Sequence, residues 1–233
     1  MYYKPKEIAK SLNVSTSALR HYESWGIVPT PERAENGYRL YTEIHFAYFR
    51  FIRAMYPTLS MRVISNILFY IQQEEVDAAF WILNEEQANL HQEKRIAEHT
   101  LEILHNPDMI KLDRKKIKDE MTIGEVSELA EVTTSAIRHW EKERLIVPNR
   151  NPENGYRLFT RTHLRQILLI RVMRSMVYSL ENLKEAVKSV EQHTVEQAKK
   201  VTKEALESIN HRNRSQLHGI HELYNLCKVI GLL

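Results

Sequence analysis

Arg20-His21-Tyr22-Glu23, followed after twelve residues by Asn36-Gly37-Tyr38-Arg39-Leu40-Tyr41-Thr42, decides the reading of this chain. The pair returns as Arg138-His139-Trp140-Glu141 and, again after twelve residues, Asn154-Gly155-Tyr156-Arg157-Leu158-Phe159-Thr160. The offset is 118 throughout, and residues 14–42 and 132–160 are identical at 14 of 29 positions without a gap. Chance does not produce that match, so one functional unit occurs twice and its internal plan applies to both copies.

Outward from the motif, Ile8, Ala9 and Leu12 predict a short helix over residues 4–12, with Pro5 tolerated in its first turn. Asn13-Val14-Ser15 reads as a turn, with Ser15 as N-cap of a second helix over residues 16–25. That helix turns Ala18, Leu19 and Tyr22 inward and leaves Thr16, Ser17, Arg20 and His21 more exposed. Two short helices across a tight polar turn make a helix-turn-helix, closed by Gly26 as a C-terminal cap. The Asn36-Gly37 hairpin signal and the alternation of Tyr38-Arg39-Leu40-Tyr41 predict a small wing over residues 30–42. Thr42 then caps a helix over 43–56, with Ile44, Phe46, Ala47, Phe49, Phe51 and Ile52 as apolar surface, which Pro57 ends. A further short helix over 60–71 carries Met61, Ile64, Ile67 and Leu68.

The second copy follows suit with Val126, Leu129, Val132, Ala136 and Ile137, a wing turned by Asn154-Gly155, a helix over 161–176, and a last short helix bearing Leu180, Leu183 and Val187. Two departures stand out. Gly26 corresponds to Arg144, so the second unit lacks the helix-ending glycine. Arg33 stands four residues before Gly37 but Arg150 five before Gly155, so a different placement of the second wing's arginine is expected. Each unit is followed by a long apolar-spaced segment, 75–105 and 194–230, expected to be coiled-coil-like. The expected fold class is mainly α: two winged helix-turn-helix domains, each followed by a long helix. The expected boundaries are 1–72, 73–106 for the first long helix, 107–120 for a linker, 121–191, and 192–233 for the second long helix and tail.

Composition narrows the function. Hydrophobic content of 43% with 27% charged residues fits a soluble globular chain, and no apolar run approaches the ~18 residues of a membrane span. The N-terminal stretch lacks a signal-peptide core, and the single cysteine, Cys227, permits no internal disulfide; a cytoplasmic location is expected. Residues 1–70 carry nine Lys/Arg against five Asp/Glu and residues 120–190 eleven against nine, whereas 71–119 carry seven against eleven. The basic character therefore sits on the repeated parts, as nucleic-acid binding requires. No nucleophile–base pair or phosphate-binding glycine loop is found, so the chain is read as a non-enzyme with no catalytic residue, cofactor or metal assigned. His211, His218 and His221 with Cys227 fit a zinc set only loosely and are read as surface or core residues.

The chemistry of the repeats suits double-stranded DNA. Arg20 and Arg138 offer guanidinium forks to phosphate, and Ser15, Thr16, Ser17 with Thr133, Thr134, Ser135 are short donors for groove edges or backbone. His21 and His139 share that face. Tyr22 and Trp140 are counted with it, a core role being equally open. Arg33, Tyr38 and Arg39, with Arg150, Tyr156 and Arg157, form the wing's contact set, and Arg39 and Arg157 are assigned to phosphate in preference to a salt bridge. Glu23 and Glu141 are read as holding the fold together.

Leu19-Arg20-His21-Tyr22-Glu23 with Asn36-Gly37-Tyr38-Arg39-Leu40-Tyr41, and the matching set from Ile137 to Phe159, resemble the MerR family of bacterial transcription regulators. The resemblance covers residues 3–70 and 121–190. It implies that the second helix of each unit enters the major groove and the wing touches flanking backbone. It also implies promoter DNA that is bent or untwisted, with RNA polymerase a candidate partner there. Thr16-Ser17-Ala18 against Thr134-Ser135-Ala136 predicts similar half-sites and a near-palindromic operator. Family members ordinarily pair through their long helices. With two units on one chain, an intramolecular pseudo-dimer is favoured over a homodimer of tandem chains. A small-molecule effector is left open; with no cysteine between residues 70 and 190, thiolate metal sensing is not expected. Phe80, Trp81 and Tyr224 are candidates for a pocket between the long helices, with core packing the favoured role. The alternatives are an architectural DNA-binding protein, like winged-helix excisionases, and a small-molecule-sensing or sequestering regulator.

Overall fold

The structure is a computed structural model and describes residues 2–105, 118–175 and 195–233. Its helices are α1 (Pro5–Ser11), α2 (Thr16–Ser24), α3 (Glu43–Met55), α4 (Met61–Gln72), α5 (Val76–His105), α6 (Ile123–Leu129), α7 (Thr134–Lys142), α8 (Arg161–Ser175) and α9 (Val195–Val229). Two antiparallel hairpins, β1 (Glu32–Arg33) with β2 (Arg39–Leu40) and β3 (Asn149–Arg150) with β4 (Arg157–Leu158), accompany these helices among the described residues. The fold is mainly α. The short helix expected to carry Leu180, Leu183 and Val187, and most of the expected linker, lie outside the described residues.

The chain divides into two compact units, one comprising residues up to Leu90 together with Asn210–Leu233, the other His91–Ile209. Neither unit is one repeat followed by its own long helix. The first takes its final helical segment from the end of α9, and the second takes one from the end of α5.

In the first unit the core is built from Leu19, Tyr41, Phe49, Phe51, Ile52, Met55, Ile64, Ile67 and Leu68, each 0% exposed. Ala79 and Leu83 of α5 and Leu223, Leu226 and Cys227 of α9 belong to the same core. Gly219 shows how closely α9 lies there: a Cβ on it would sit 2.4 Å from Met55 Sδ. Gln87 of α5 donates to Gln216 of α9, a polar pair beside this apolar seam. In the second unit Met121, Val126, Ile137, Phe159, Ile167, Leu168 and Ile170 are buried, joined by Leu104 of α5 and bordered by Val201 of α9. Ile44, expected on the apolar face of α3, is 37% exposed, because it lies in the first turn and turns outward.

Local chemistry explains the element ends. Ser15 Oγ accepts from Ala18 N–H at 3.1 Å and Thr133 Oγ1 from Ala136 N–H at 3.2 Å, capping α2 and α7 at orphan amides. Both helices end alike. Gly26 N–H reaches Glu23 O at 2.9 Å and Ile27 N–H reaches Tyr22 O at 3.3 Å; Arg144 N–H reaches Glu141 O at 2.9 Å and Leu145 N–H reaches Trp140 O at 2.8 Å. That bonding needs a left-handed residue after the cap, and Gly26 at φ 67° and Arg144 at φ 56° both supply it. The missing glycine therefore changes the strain and not the path of the chain.

Candidate nucleic-acid interface

Each unit carries a short helix, α2 or α7, beside a two-stranded wing. Ser15, Ser17, Arg20 and His21 are exposed and Thr16 is half-buried; Thr133, Ser135, Arg138, His139 and Thr134 repeat that pattern. The polar face expected from the sequence is thus open in both copies. It is ordered by its own hydroxyls, since Ser15 and Thr133 cap their helices and Thr133 Oγ1 lies 2.9 Å from Ser135 Oγ. Tyr22 and Trp140, counted with this face with a core role equally open, are found in the core role. At 7% and 4% exposed, their rings pack in the two cores, because they stand on the same helix face as Leu19 and Ile137.

In the wings, Arg33 pairs across from Arg39 and Arg150 across from Arg157. The expected difference in placement is not observed. The extra residue of the second wing is taken up in its turn, where Asn151 N–H bonds Tyr156 O at 2.8 Å as Ala34 N–H bonds Tyr38 O at 2.8 Å. Arg33 Nη1 then donates to Gly37 O at 3.3 Å and Arg150 Nη1 to Gly155 O at 3.4 Å. Tyr38 and Tyr156 project from the turns, 69% and 73% exposed, where a solvated aromatic has no packing reason to be.

Arg39 Nε donates to Glu23 at 2.6 Å and Arg157 Nε to Glu141 at 2.7 Å. The hydrogen bond to Glu23 raises the Arg39 pKa, holding the guanidinium charged. Both arginines, assigned to phosphate in preference to a salt bridge, are in a salt bridge, which spends the Nε–H on the helix and orients the remaining fork. Arg150 differs from Arg33 in adding a bond to Glu141 at 3.0 Å. Glu23 and Glu141 therefore tie helix to wing, as expected of them.

Three features are not legible from the motif. Trp25, 56% exposed, stacks on His21 with ring centres 5.9 Å apart, whereas Glu143 occupies that place in the second unit. Tyr3 and Tyr41 exchange backbone hydrogen bonds at 2.7 and 3.2 Å, as Met121 and Phe159 do at 2.8 Å, so a third short segment anchors each wing to the start of its unit. His45 and His163 complete caps for α3 and α8: their Nδ1 atoms accept from Thr42 N–H at 3.1 Å and Thr160 N–H at 2.9 Å. The matched spacing Thr-x-x-His in both copies is the available signal for this last feature.

A sequence profile described as "MerR HTH family regulatory protein" matches residues 121–190, and one described as "MerR family regulatory protein" matches residues 4–41. The chain belongs to the MerR family. It does so twice, with a MerR-type segment in each unit. The HTH-type transcriptional regulator ZntR of Escherichia coli strain K12 is 33% identical over 93 residues, 39% of this chain and 66% of that protein. CueR of Escherichia coli O6:H1 is 37% identical over 67 residues, 29% of this chain and 50% of its own length. CueR of Vibrio cholerae is 36% identical over 64 residues, 28% of this chain and 46% of its own length. The chain therefore spans between 46% and 66% of these relatives' lengths. A solved structure assigned to the MerR family, from Listeria monocytogenes, aligns over 61% of this chain and 98% of its own at 19% identity, with a TM-score of 0.38. No described helix is long and apolar enough to cross a membrane.

Proposed function

We propose that the chain is a transcription regulator that binds double-stranded DNA sequence-specifically. It reads two similar half-sites with two covalently linked winged helix-turn-helix units and bends or untwists promoter DNA between them, with RNA polymerase as its partner there. The observation that carries this reading is the duplicated assembly of an open polar helix face locked to a wing through Glu23–Arg39 and Glu141–Arg157. An exposed arginine and an exposed tyrosine flank that lock in each copy. Such a set offers phosphate contacts at two places and short donors to the groove between them. Near-identical contact residues in the two copies favour a near-palindromic operator.

The unit composition supports a pseudo-dimer within one chain. The first unit contains Asn210–Leu233 and the second contains the end of α5, so each is completed by helix that follows the other repeat. In a family whose members pair through long helices, that exchange takes the place of a second subunit. Light scattering of the full chain, alone and with DNA fragments selected from a random pool, tests both parts. One chain on one near-palindromic site is expected. Two chains per site would restore intermolecular pairing. Failure to select any sequence, with only salt-sensitive binding to all DNA, would overturn sequence-specific regulation in favour of an architectural role.

A further inference from the structure

One difference between the two units, where their folds agree, opens a cavity in the first. Where α1 ends against α3, the first unit has a cavity of about 380 Å³ lined by Leu12, Arg50, Arg53, Ser215, His218 and Glu222, among others. This lies within the ~300–1,000 Å³ common for small-molecule sites. Arg53 is the counterpart of Arg171, 118 residues on. In the second unit Arg171 is consumed by the protein: its Nη1 donates to Ala130 O at 2.6 Å and its Nη2 to Glu131 at 3.1 Å. In the first unit Asn13 stands in the place of Glu131. Arg53 has no carboxylate or carbonyl partner among the described residues; its Nε is buried and unbonded, and its guanidinium lies 5.9 Å from the Tyr56 ring centre.

The surrounding charges change in the same direction. Arg50 corresponds to Leu168, so the first unit has a second guanidinium where the other is apolar. Its Nε lies 3.3 Å from Glu222 Oε2, an ion pair in which neither atom has hydrogen-bond geometry. A cavity of about 290 Å³ in the second unit, which includes Glu131, is lined instead by Glu98, Glu102 and His99 with Arg95. After duplication, one copy thus holds a self-neutralised arginine and the other an unspent one facing a cavity.

We propose that this cavity of the first unit binds a small organic anion, its phosphate or carboxylate held by Arg53 and His218 and its hydroxyl donors by Glu222. Guanidinium and imidazole donate to anionic oxygens, and a carboxylate oxygen without a hydrogen bond selects a ligand that carries donors of its own. The site joins α3 to α9 beside the close Gly219–Met55 contact, so an occupant touches both helices and strengthens their docking. Resting on the regulator reading for its consequence, anion binding changes the affinity of the chain for DNA.

Calorimetry on the full chain with glucose 6-phosphate and citrate, and with uncharged glucose as control, tests the site without DNA. Saturable binding of at least one anion is expected, with none for glucose. Arg53→Met, which keeps the apolar stem, is expected to weaken binding at least tenfold while the melting curve shows a folded chain, and His218→Gln to weaken it several-fold. No binding of either anion to the wild type or to Glu222→Gln, where the competing carboxylate is gone, overturns the site. So does undiminished binding by folded Arg53→Met. A chain that binds an anion but no DNA supports the site and overturns the functional reading. Unchanged DNA affinity at saturating anion overturns the regulatory half of the proposal.

Discussion

Glu23 Oε2 accepts a hydrogen bond from Arg39 Nε at 2.6 Å, joining the end of α2 to the wing across 16 residues, and Glu141 repeats the bond to Arg157. Both partners of the first pair are mostly withdrawn from solvent, 14% and 26% exposed. Their worth therefore lies between an exposed pair at ~0.2–1 kcal/mol and a buried one whose breaking costs ~3–5 kcal/mol. Glu23→Gln is expected to destabilise the chain by about 1–2 kcal/mol. It should also weaken operator binding, because wing and helix no longer present their contacts together. Thermal melts and a DNA titration check both, and a variant unchanged in each would show that wing and helix hold their places without the pair.

Arg20 and Arg138 are exposed on the polar helix faces and make no ion pair with any described residue. Arg20→Ala and Arg138→Ala are each expected to flatten the slope of log affinity against log salt by about 0.9 for every phosphate that the variant no longer touches. Affinity should fall similarly on operator and random DNA, since a phosphate contact carries no base information. A slope that does not move, measured between roughly 50 and 200 mM salt, would place these arginines off the backbone.

Arg144 occupies the left-handed region at φ 56° where Gly26 sits at φ 67°. An L-residue there costs roughly 1 kcal/mol relative to glycine. Arg144→Gly is expected to raise stability by about that amount, and Gly26→Ala to lower it similarly. Neither changes the helix end, so DNA affinity should stay within about twofold for Gly26→Ala. Urea midpoints decide it; a destabilised Arg144→Gly would mean that the arginine side chain contributes more than its backbone strain costs.

Much of this fold is legible because a duplicated motif constrains itself. Ser15 and Thr133 at the caps, the Asn-Gly turns and the helix spans all follow from local chemistry that two copies state independently. Tyr22 and Trp140 are less legible, since an aromatic on a short amphipathic helix fits both a core and a contact surface until the facing residues are known. Trp81 and Tyr224 depart the other way. Expected in the core, they are 70% and 44% exposed, because α5 and α9 bury Leu83 and Leu223 in their place. The exchange of long helices between units has no local signature. It is fixed by contacts within one core between residues as distant in the chain as Leu83 and Leu226, which no spacing rule reports.

His45 supplies a pH dependence with a definite sign. It is 6% exposed, and burial, its largest influence, lowers its pKa from the ordinary imidazole value, opposed more weakly by the Pro29 carbonyl and by Glu23 and Glu32. Its Nδ1 accepts from Thr42 N–H, a bond available only to the neutral ring. In the unfolded chain the imidazole takes up a proton near pH ~6.5. Above that value both states are neutral and the contribution to stability is complete. As pH falls, the unfolded state binds the proton first, so stability is lost until the lower folded pKa is passed. Wild type is therefore expected to lose more stability than His45→Gln as the pH drops below about 6.5, because glutamine can accept the same Thr42 N–H without titrating. Urea midpoints measured across that interval for both proteins give the difference directly. Parallel curves would show that His45 keeps its proton equilibrium on folding and that the cap does not depend on a neutral ring.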